Sequence, residues 1–269
     1  EHLKTLAEFF EPMPLSEWHR RARDGKTLPM KACAITFDDG WSDNYQYALP
    51  ILQELNTPAH LFAVAELIGT RRMFWPNRVA RLLLEHEKGL AQLDEGQWLL
   101  AAIAGKPSRE SVAAAINACK KLSDQEVESK LDLLERILGI DQPREPALMS
   151  WEQLGEMAAG GLVEIGSHTC NHRRLLEGVD QQTLIHEIAG SKAILQSKLE
   201  CEINTFCYPN GDYSPAAEAL VRQHYQLAVT TRGGINQINT DPHLLTRYGV
   251  HEDISDTRTK LLARVSGWR

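Results

Sequence analysis

Short apolar runs that end in turn residues recur along the chain. The clearest covers residues 32–37 and breaks at Asp38-Asp39-Gly40. Apolar runs of this length, bounded by turn-forming residues, are typical of buried parallel strands. Other runs of the same character cover residues 59–64, 162–165, 205–208, 227–231 and 244–250. The pattern predicts a strand at each of them.

Helical patterns lie between these runs, at residues 44–55, 151–159, 181–199 and 215–224. This alternation predicts an α/β fold with a parallel sheet or a barrel of βα units. Residues 74–140 depart from it, because they contain several helical patterns and no convincing strand. We interpret them as a helical insertion into a single domain that spans residues 1–269. The insertion either packs as a structural element or serves as a lid or wall of a binding groove.

Composition narrows the class of protein and of partner. The chain has 269 residues, of which 43% are hydrophobic and 24% charged, and its formal net charge is -7. These are ordinary values for a globular protein, and the basic residues are scattered. Nucleic acid is excluded as the main partner, because phosphate binding requires clustered Lys and Arg. No stretch approaches the roughly 20 apolar residues of a transmembrane segment.

The cysteines bear on the compartment. There are five, and none forms a CxxC pair: Cys33, Cys119, Cys170, Cys201 and Cys207. An odd count without framework spacing favours reduced thiols. We therefore expect a cytoplasmic setting over a periplasmic or extracellular one.

Two carboxylates, Asp38 and Asp39, directly follow the first apolar run, and Gly40 then allows a sharp turn. The carboxyl ends of parallel strands form the active-site face of α/β folds. Adjacent carboxylates repel each other unless a cation or hydrogen bonds offset the charge. A metal ion bound by one of them, with the other left as a base, satisfies this requirement. The alternative is that both cap the following helix, although Ser42 and Asp43 are better placed to do so.

Two histidines, His168 and His172, follow the run at 162–165. Their spacing lets both imidazoles reach one ion, in a helical turn or in a compact loop. Such a pair is often incidental, but this one lies at a strand end. With Asp39 it would form a set of two nitrogens and one oxygen that leaves coordination positions open. That set suits a catalytic divalent metal, and zinc is the metal we expect.

Together, Thr36 to Gly40 (TFDDG) and His168 to His172 (HTCNH) resemble the two signature motifs of the polysaccharide deacetylase family, carbohydrate esterase family four, also called the NodB-homology domain. The resemblance implies a distorted (β/α) barrel and covers roughly residues 30–250. It implies that Asp38 is the general base and that Asp39 is a metal ligand. It further implies hydrolysis of acetyl groups on a polysaccharide or exopolysaccharide. Related chains often have an earlier strand, which implies that a native portion precedes Glu1.

The segment 206–211 is similar to the family motif in which an arginine precedes a proline-tyrosine pair, but Cys207 stands at the arginine position. The resemblance implies that the backbone N–H of Asn210 helps to bind the oxyanion. Since the arginine orients the base, a substitute is required. Arg247 is the first candidate and Arg232 the second, with a structural ion pair as the alternative role of Arg247.

Other residues are assigned less directly. His251 is the nearest equivalent in this sequence of the histidine that the family uses as general acid. The alternative is that His251 is a solvated loop residue, in which case Asp38 carries the proton in both steps. His60 is expected to be a core or pocket residue. Trp41 and Tyr208, next to the motifs, are the aromatic side chains we expect to stack on sugar rings, although each could belong to the core.

The expected activity is removal of acetyl groups, with hexosamine N-acetyl groups as the target, from an acetylated polysaccharide or oligosaccharide. Two alternatives remain open. One is a hydrolase of a small amide or ester on the same scaffold. The other is a carbohydrate-binding domain without turnover.

Overall fold

The computed structural model describes residues 1–103 and 105–267. These residues form seven short strands: β1 (Glu11–Pro12), β2 (Ala32–Cys33), β3 (Thr36–Asp39), β4 (Ala59–Ala63), β5 (Val163–Ser167), β6 (Thr205–Cys207) and β7 (Leu227–Val229). Strands β3 to β7 make one parallel sheet in sequence order, while β1 and β2 pair separately. The register places Asp39 opposite Ala63, and Ala63 opposite Ser167. The carboxyl ends of β3, β4 and β5 therefore lie level at one edge.

The sheet curls so that its two outer strands approach each other. Arg247 Nε donates to Thr230 O, just after β7, at 2.9 Å, and Arg247 Nη1 donates to Thr36 Oγ1 in β3 at 3.0 Å. In a flat sheet, four strand spacings would separate β3 from β7 by about 19 Å, too far for one side chain. The prediction of an α/β fold with a barrel-like parallel sheet is confirmed.

The structure differs from two of the predicted strands. Residues 32–37 form two strands, because the chain pairs first with β1 and then turns to β4 after Ala34. Residues 244–250 form no strand, only a single bridge between Leu245 and Val229. The backbone N–H of Arg247 donates to Arg232 O instead, at 2.8 Å. The chain thus leaves the sheet after Leu245.

Helices flank the sheet. In this part of the chain they are His2–Phe9, Leu15–Arg23, Leu49–Glu54, Trp151–Ala159, Gln181–Ile185, Ser191–Leu199, Pro215–His224, Glu252–Ser255 and Arg258–Val265, with π-helical segments at Asn44–Ala48 and His186–Gly190 and a 3-10 turn at Pro209–Gly211. The predicted helices 151–159 and 215–224 are confirmed. Ser150 and Gln153 form a reciprocal capping box, which explains why the helix Trp151–Ala159 begins where it does. The predicted helix 181–199 contains a π-helical segment in its middle.

Side chains fill the concave side of the sheet. Phe62 packs there with Cys207, Val229 and Leu245. His60, also buried, contacts Glu164 Oε2 through Nδ1 at 3.2 Å and Thr205 Oγ1 through Nε2 at 2.6 Å. His60 is thus a core histidine whose two ring nitrogens both have partners.

Residues Arg71–Pro146 form a second compact unit. Its helices are Trp75–Glu85, Glu87–Leu90, Gln97–Leu100, Arg109–Cys119 and Asp124–Leu138, with a 3-10 turn at Asp94–Gly96. The unit has its own apolar core, in which Val79, Leu131 and Leu134 are fully buried. Across the described residues, no helix combines the length and apolar character needed to cross a membrane.

Candidate active site

Asp38 and Asp39 close strand β3 at the carboxyl edge of the sheet. Asp39 has a positive φ of 73° and Gly40 one of 90°, so the chain turns sharply directly after the pair. A φ of 90° is a backbone conformation that residues with a Cβ rarely adopt, which explains the glycine at position 40. The turn gives the two neighbouring carboxylates different surroundings.

The Asp39 carboxylate faces both histidines. Its Oδ1 lies 3.5 Å from His168 Nε2 and 3.5 Å from His172 Nε2. This oxygen is buried and accepts no hydrogen bond, whereas Oδ2 accepts one from Trp41 Nε1 at 2.9 Å. A buried carboxylate oxygen without a donor is unfavourable unless a cation compensates it. The group therefore fits a divalent metal: Asp39, His168 and His172 supply three ligand atoms, as in catalytic zinc sites.

The loop after β5 presents the two imidazoles. Thr169 and His172 have positive φ values of 67° and 56°, so the segment is a compact turn rather than a helix. His168 Nδ1 contacts Cys207 O at 2.8 Å, so Nδ1 carries the proton and Nε2 is the nitrogen that can bind metal. The rings meet edge to face, with centroids 4.8 Å apart. The structure brings together all three residues predicted to bind the metal.

Arg247 pairs with Asp38 on both carboxylate oxygens. Its Nη1 donates to Oδ1 at 2.8 Å and its Nη2 to Oδ2 at 2.9 Å. Burial alone would raise the pKa of Asp38, but the hydrogen bonds and charge of Arg247, with His168 and the Cys207 thiol, lower it to about 2. Asp38 is therefore ionised at neutral pH and held in a fixed plane.

Cys207 contacts this pair. Arg247 Nη2 lies 3.1 Å from Cys207 Sγ, and burial, followed by the Asp38 charge, raises the pKa of the thiol well above its ordinary value. The Arg247 guanidinium thus contacts Cys207, the residue that stands where the family motif has its arginine. Arg232, the second candidate, is exposed and lies over the Tyr213 ring, 5.2 Å from its centroid.

Asn210 lies in the exposed turn that follows β6, with a positive φ of 55°, and its carbonyl accepts a hydrogen bond from Thr231 Oγ1 at 2.8 Å. Tyr208, two residues earlier, is fully buried against Phe206 and Tyr213. Its ring cannot present a face to a sugar in this structure, so the assignment of Tyr208 to substrate stacking is corrected. Trp41 is partly exposed, and its indole N–H also supports Asp39.

His251 is exposed and immediately precedes the short helix Glu252–Ser255. Three groups of ligand-type side chains come within 4.8 Å of one another among the described residues, and none includes His251. Its assignment as general acid stays a prediction.

The sequence did not reveal two contributors to this site. One is the carbonyl of Cys207, which orients His168; a backbone oxygen has no signature in the sequence. The other is the Trp41 N–H, whose position two residues after Asp39 was the only available signal.

Three comparisons relate the chain to known proteins. A family model described as "Polysaccharide deacetylase" matches residues 25–228. The Bacillus subtilis (strain 168) protein YxkH is 24% identical over 229 residues, which cover 84% of this chain and 54% of that protein. The poly-beta-1,6-N-acetyl-D-glucosamine N-deacetylase of Escherichia coli (strain K12) is 36% identical over 61 residues, or 23% of this chain and 9% of that enzyme. The chain thus spans about half the length of YxkH and far less of the second relative.

A solved structure shares the fold. The Streptococcus pyogenes deacetylase PplD, in complex with acetate, superposes with a TM-score of 0.62 at 19% identity. The match covers 98% of this chain and 84% of that one. At this identity the likeness establishes the architecture and nothing finer.

Proposed function

Because the chain belongs to the polysaccharide deacetylase family, we propose that it is a metal-dependent hydrolase that removes acetyl groups from an acetylated polysaccharide. We propose the N-acetyl groups of hexosamine residues as its target. The observation that best supports this proposal is that the two adjacent carboxylates have different partners. Asp39 Oδ1 faces two histidine nitrogens, while Asp38 pairs with Arg247.

Asp39, His168 and His172 would hold the metal. Bound there, a divalent metal, zinc by preference, would act as a Lewis acid that acidifies water and polarises the acetyl carbonyl. Its ligands are already preoriented, because Cys207 O holds His168 and Trp41 Nε1 holds Asp39.

Asp38 is the proposed general base. Arg247 donates to both carboxylate oxygens and the Cys207 thiol donates to Oδ2 as well, which leaves a lone pair on Oδ1 able to accept a proton. As water attacks the acetyl carbonyl carbon, Asp38 takes a proton from it. The carbon–nitrogen bond then breaks as a proton reaches the amine nitrogen, and acetate and a free amine leave. The exposure of His251 favours Asp38 as the group that returns this proton.

The backbone N–H of Asn210 is the proposed donor to the developing oxyanion. The hydrogen bond between its carbonyl and Thr231 Oγ1 fixes the turn that carries it. One such donor is typically worth about 3 kcal/mol in the transition state.

The proposed substrate class rests on the family and on one similar protein, the Escherichia coli N-deacetylase of poly-beta-1,6-N-acetyl-D-glucosamine. Trp41 is the remaining candidate from the sequence for contact with a sugar ring.

The test is acetate release from β-1,6-linked N-acetylglucosamine oligomers and from a small acetyl ester, before and after removal of metal by a chelator. We expect acetate from the oligomers, its loss on chelation and its return on addition of zinc. Hydrolysis of the ester alone would instead indicate a small-substrate hydrolase. Oligomer binding without acetate release, with metal bound, would indicate a carbohydrate-binding domain. Replacement His251→Ala in the same assay tests the general acid: we expect a change of no more than about threefold.

A further inference from the structure

A buried carboxylate lies behind the loop that carries His168 and His172. Glu187 is 2% exposed, on the core-facing side of the helical segment that runs from Gln181 to Leu199. Its neighbours on that side, Leu184, Ile188 and Leu195, are apolar and buried. A carboxylate in such a position is costly unless donors surround it.

The donors come from the loop between the two histidines. Glu187 Oε2 accepts the backbone N–H groups of Cys170 at 3.0 Å and of Asn171 at 2.9 Å. Its Oε1 accepts Asn171 Nδ2 at 3.3 Å, and Arg173 Nε lies 3.9 Å from the same oxygen. Glu187 thereby bonds two consecutive peptide groups that lie between His168 and His172.

The Glu187 side chain is itself held in place. His186–Gly190 is a π-helical segment, whose wider turn changes the direction of the side chains it carries. Tyr225 donates its hydroxyl to Ile188 O at 2.7 Å, and Ser191 Oγ donates to the same oxygen at 2.9 Å. Ser191 Oγ also contacts Ser167 Oγ, the last residue of β5, at 2.7 Å. The π-helical segment is therefore fixed against the strand from which the histidine loop departs.

We propose that Glu187 is a positioning residue for the metal site: it fixes the loop so that His168 Nε2 and His172 Nε2 converge on Asp39. The inference rests on the proposed metal-dependent function. Thr169 and His172 have positive φ values, which are unfavourable for residues other than glycine. Hydrogen bonds from the peptides between them to one buried carboxylate offset that cost. Without the acceptor, the loop can relax and the two nitrogens separate.

The test compares Glu187→Met with Glu187→Gln in the full chain. Met has a similar length but accepts no comparable hydrogen bond, whereas Gln retains one oxygen for the two backbone N–H groups. The readout is the zinc dissociation constant of the folded protein, measured by competition with a chromophoric chelator. We expect Glu187→Met to weaken zinc binding about 10–100-fold and Glu187→Gln to restore it to within about threefold of wild type.

Ser150→Ala is the control. It removes the side-chain cap of the helix Trp151–Ala159, which belongs neither to the histidine loop nor to the π-helical segment. We expect it to lower the unfolding temperature without changing the zinc dissociation constant. A purely structural role for Glu187 would instead give Glu187→Met and Ser150→Ala the same unchanged zinc affinity, and that result would overturn the proposal.

Two further outcomes are decisive. If Glu187→Met does not fold, Glu187→Asp replaces it, because Asp keeps the charge but withdraws the oxygens by one methylene. Zinc binding weaker by about tenfold would then support the proposal, and unchanged binding would overturn it. Wild-type protein that binds no zinc would contradict the proposed function itself, and this inference with it.

Discussion

Asp38 and Asp39 are neighbours in the chain but differ in the charges that surround them. Asp38 has a guanidinium on both oxygens, and Asp39 has an oxygen that is buried and unpartnered. The TFDDG motif predicted the pair, and the spacing of the two histidines at the end of another strand predicted the metal group. Arg247 could be proposed only as one of two candidates, because the sequence does not show that the chain leaves the sheet after Leu245. The burial of Tyr208 likewise could not be predicted from the residues next to it in the sequence.

Arg247→Met should impair both stability and turnover. It leaves the Asp38 carboxylate without its cation and without a fixed plane. We expect a loss of about 3 kcal/mol in unfolding free energy and about 100-fold in acetate release. Urea unfolding and the acetate assay measure the two effects. Arg222→Met, which breaks an exposed network with Glu218 and Asp241, is the control and should cost about 1 kcal/mol or less. Equal effects of both variants would refute the role of Arg247.

Trp41→Phe separates two roles of this side chain. It keeps an aromatic ring for sugar contact but removes the N–H that Asp39 Oδ2 accepts. Because the indole N–H holds Asp39, the proposed metal ligand, we expect about tenfold weaker zinc binding, with KM for the oligomer unchanged at saturating zinc. Zinc titration and steady-state kinetics check this. Unchanged zinc affinity with a raised KM would show that Trp41 serves the substrate instead.

At the scale of elements, the site is built where β3, β5 and β6 end. The alternation of apolar runs and helical patterns predicted these strands and the helices 151–159 and 215–224, because burial and capping are local signals. The π-helical segment His186–Gly190 was missed. Glu187 within an apolar stripe was an available signal of a special role, but its backbone partners Cys170 and Asn171 are 17 and 16 residues away in sequence.

Gly166 in β5 offers a test of the packing inside the curled sheet. A Cβ there would lie 2.3 Å from Thr205 Oγ1, 2.6 Å from Phe62 Cδ1 and 2.7 Å from His60 Nε2. We expect Gly166→Ala to lower the unfolding free energy by about 1–3 kcal/mol, as overpacking does. Gly155, within the helix Trp151–Ala159, has no atom within 4 Å of such a Cβ. Gly155→Ala should therefore stabilise by about 0.5–1 kcal/mol in the same urea titration. A neutral Gly166→Ala would contradict this packing.

At the scale of the whole molecule, the chain consists of two compact units, and the candidate active-site residues all lie in the unit formed by residues 1–70 and 147–269. The sequence predicted the helical character of residues 74–140 from several helical patterns and the absence of a convincing strand. It could not choose between a packing role and a lid. That choice depends on contacts with substrate, which no periodicity encodes.

Replacement of residues 71–146 by a short Gly/Ser linker addresses this choice. The ends of the first unit lie close together, because Gly69 N donates to Met149 O at 2.9 Å. Each unit has its own apolar core, so we expect the shortened chain to fold and to bind zinc within about threefold of wild type. Circular dichroism and zinc titration measure this. Retained zinc with lost oligomer turnover would identify the insertion as part of the substrate groove. Lost zinc binding would contradict the independence of the site.

The most direct test of the account compares Asp38→Asn with Asp39→Asn, two isosteric changes at adjacent residues. Zinc affinity and acetate release are measured on both. If Asp38 is the base, Asp38→Asn should bind zinc within about threefold of wild type and lose about 10²–10⁴-fold in acetate release. If Asp39 is a ligand, Asp39→Asn should bind zinc at least about 100-fold more weakly. Equal zinc affinity in both variants, or the reverse pattern, would contradict the division of roles between the two carboxylates.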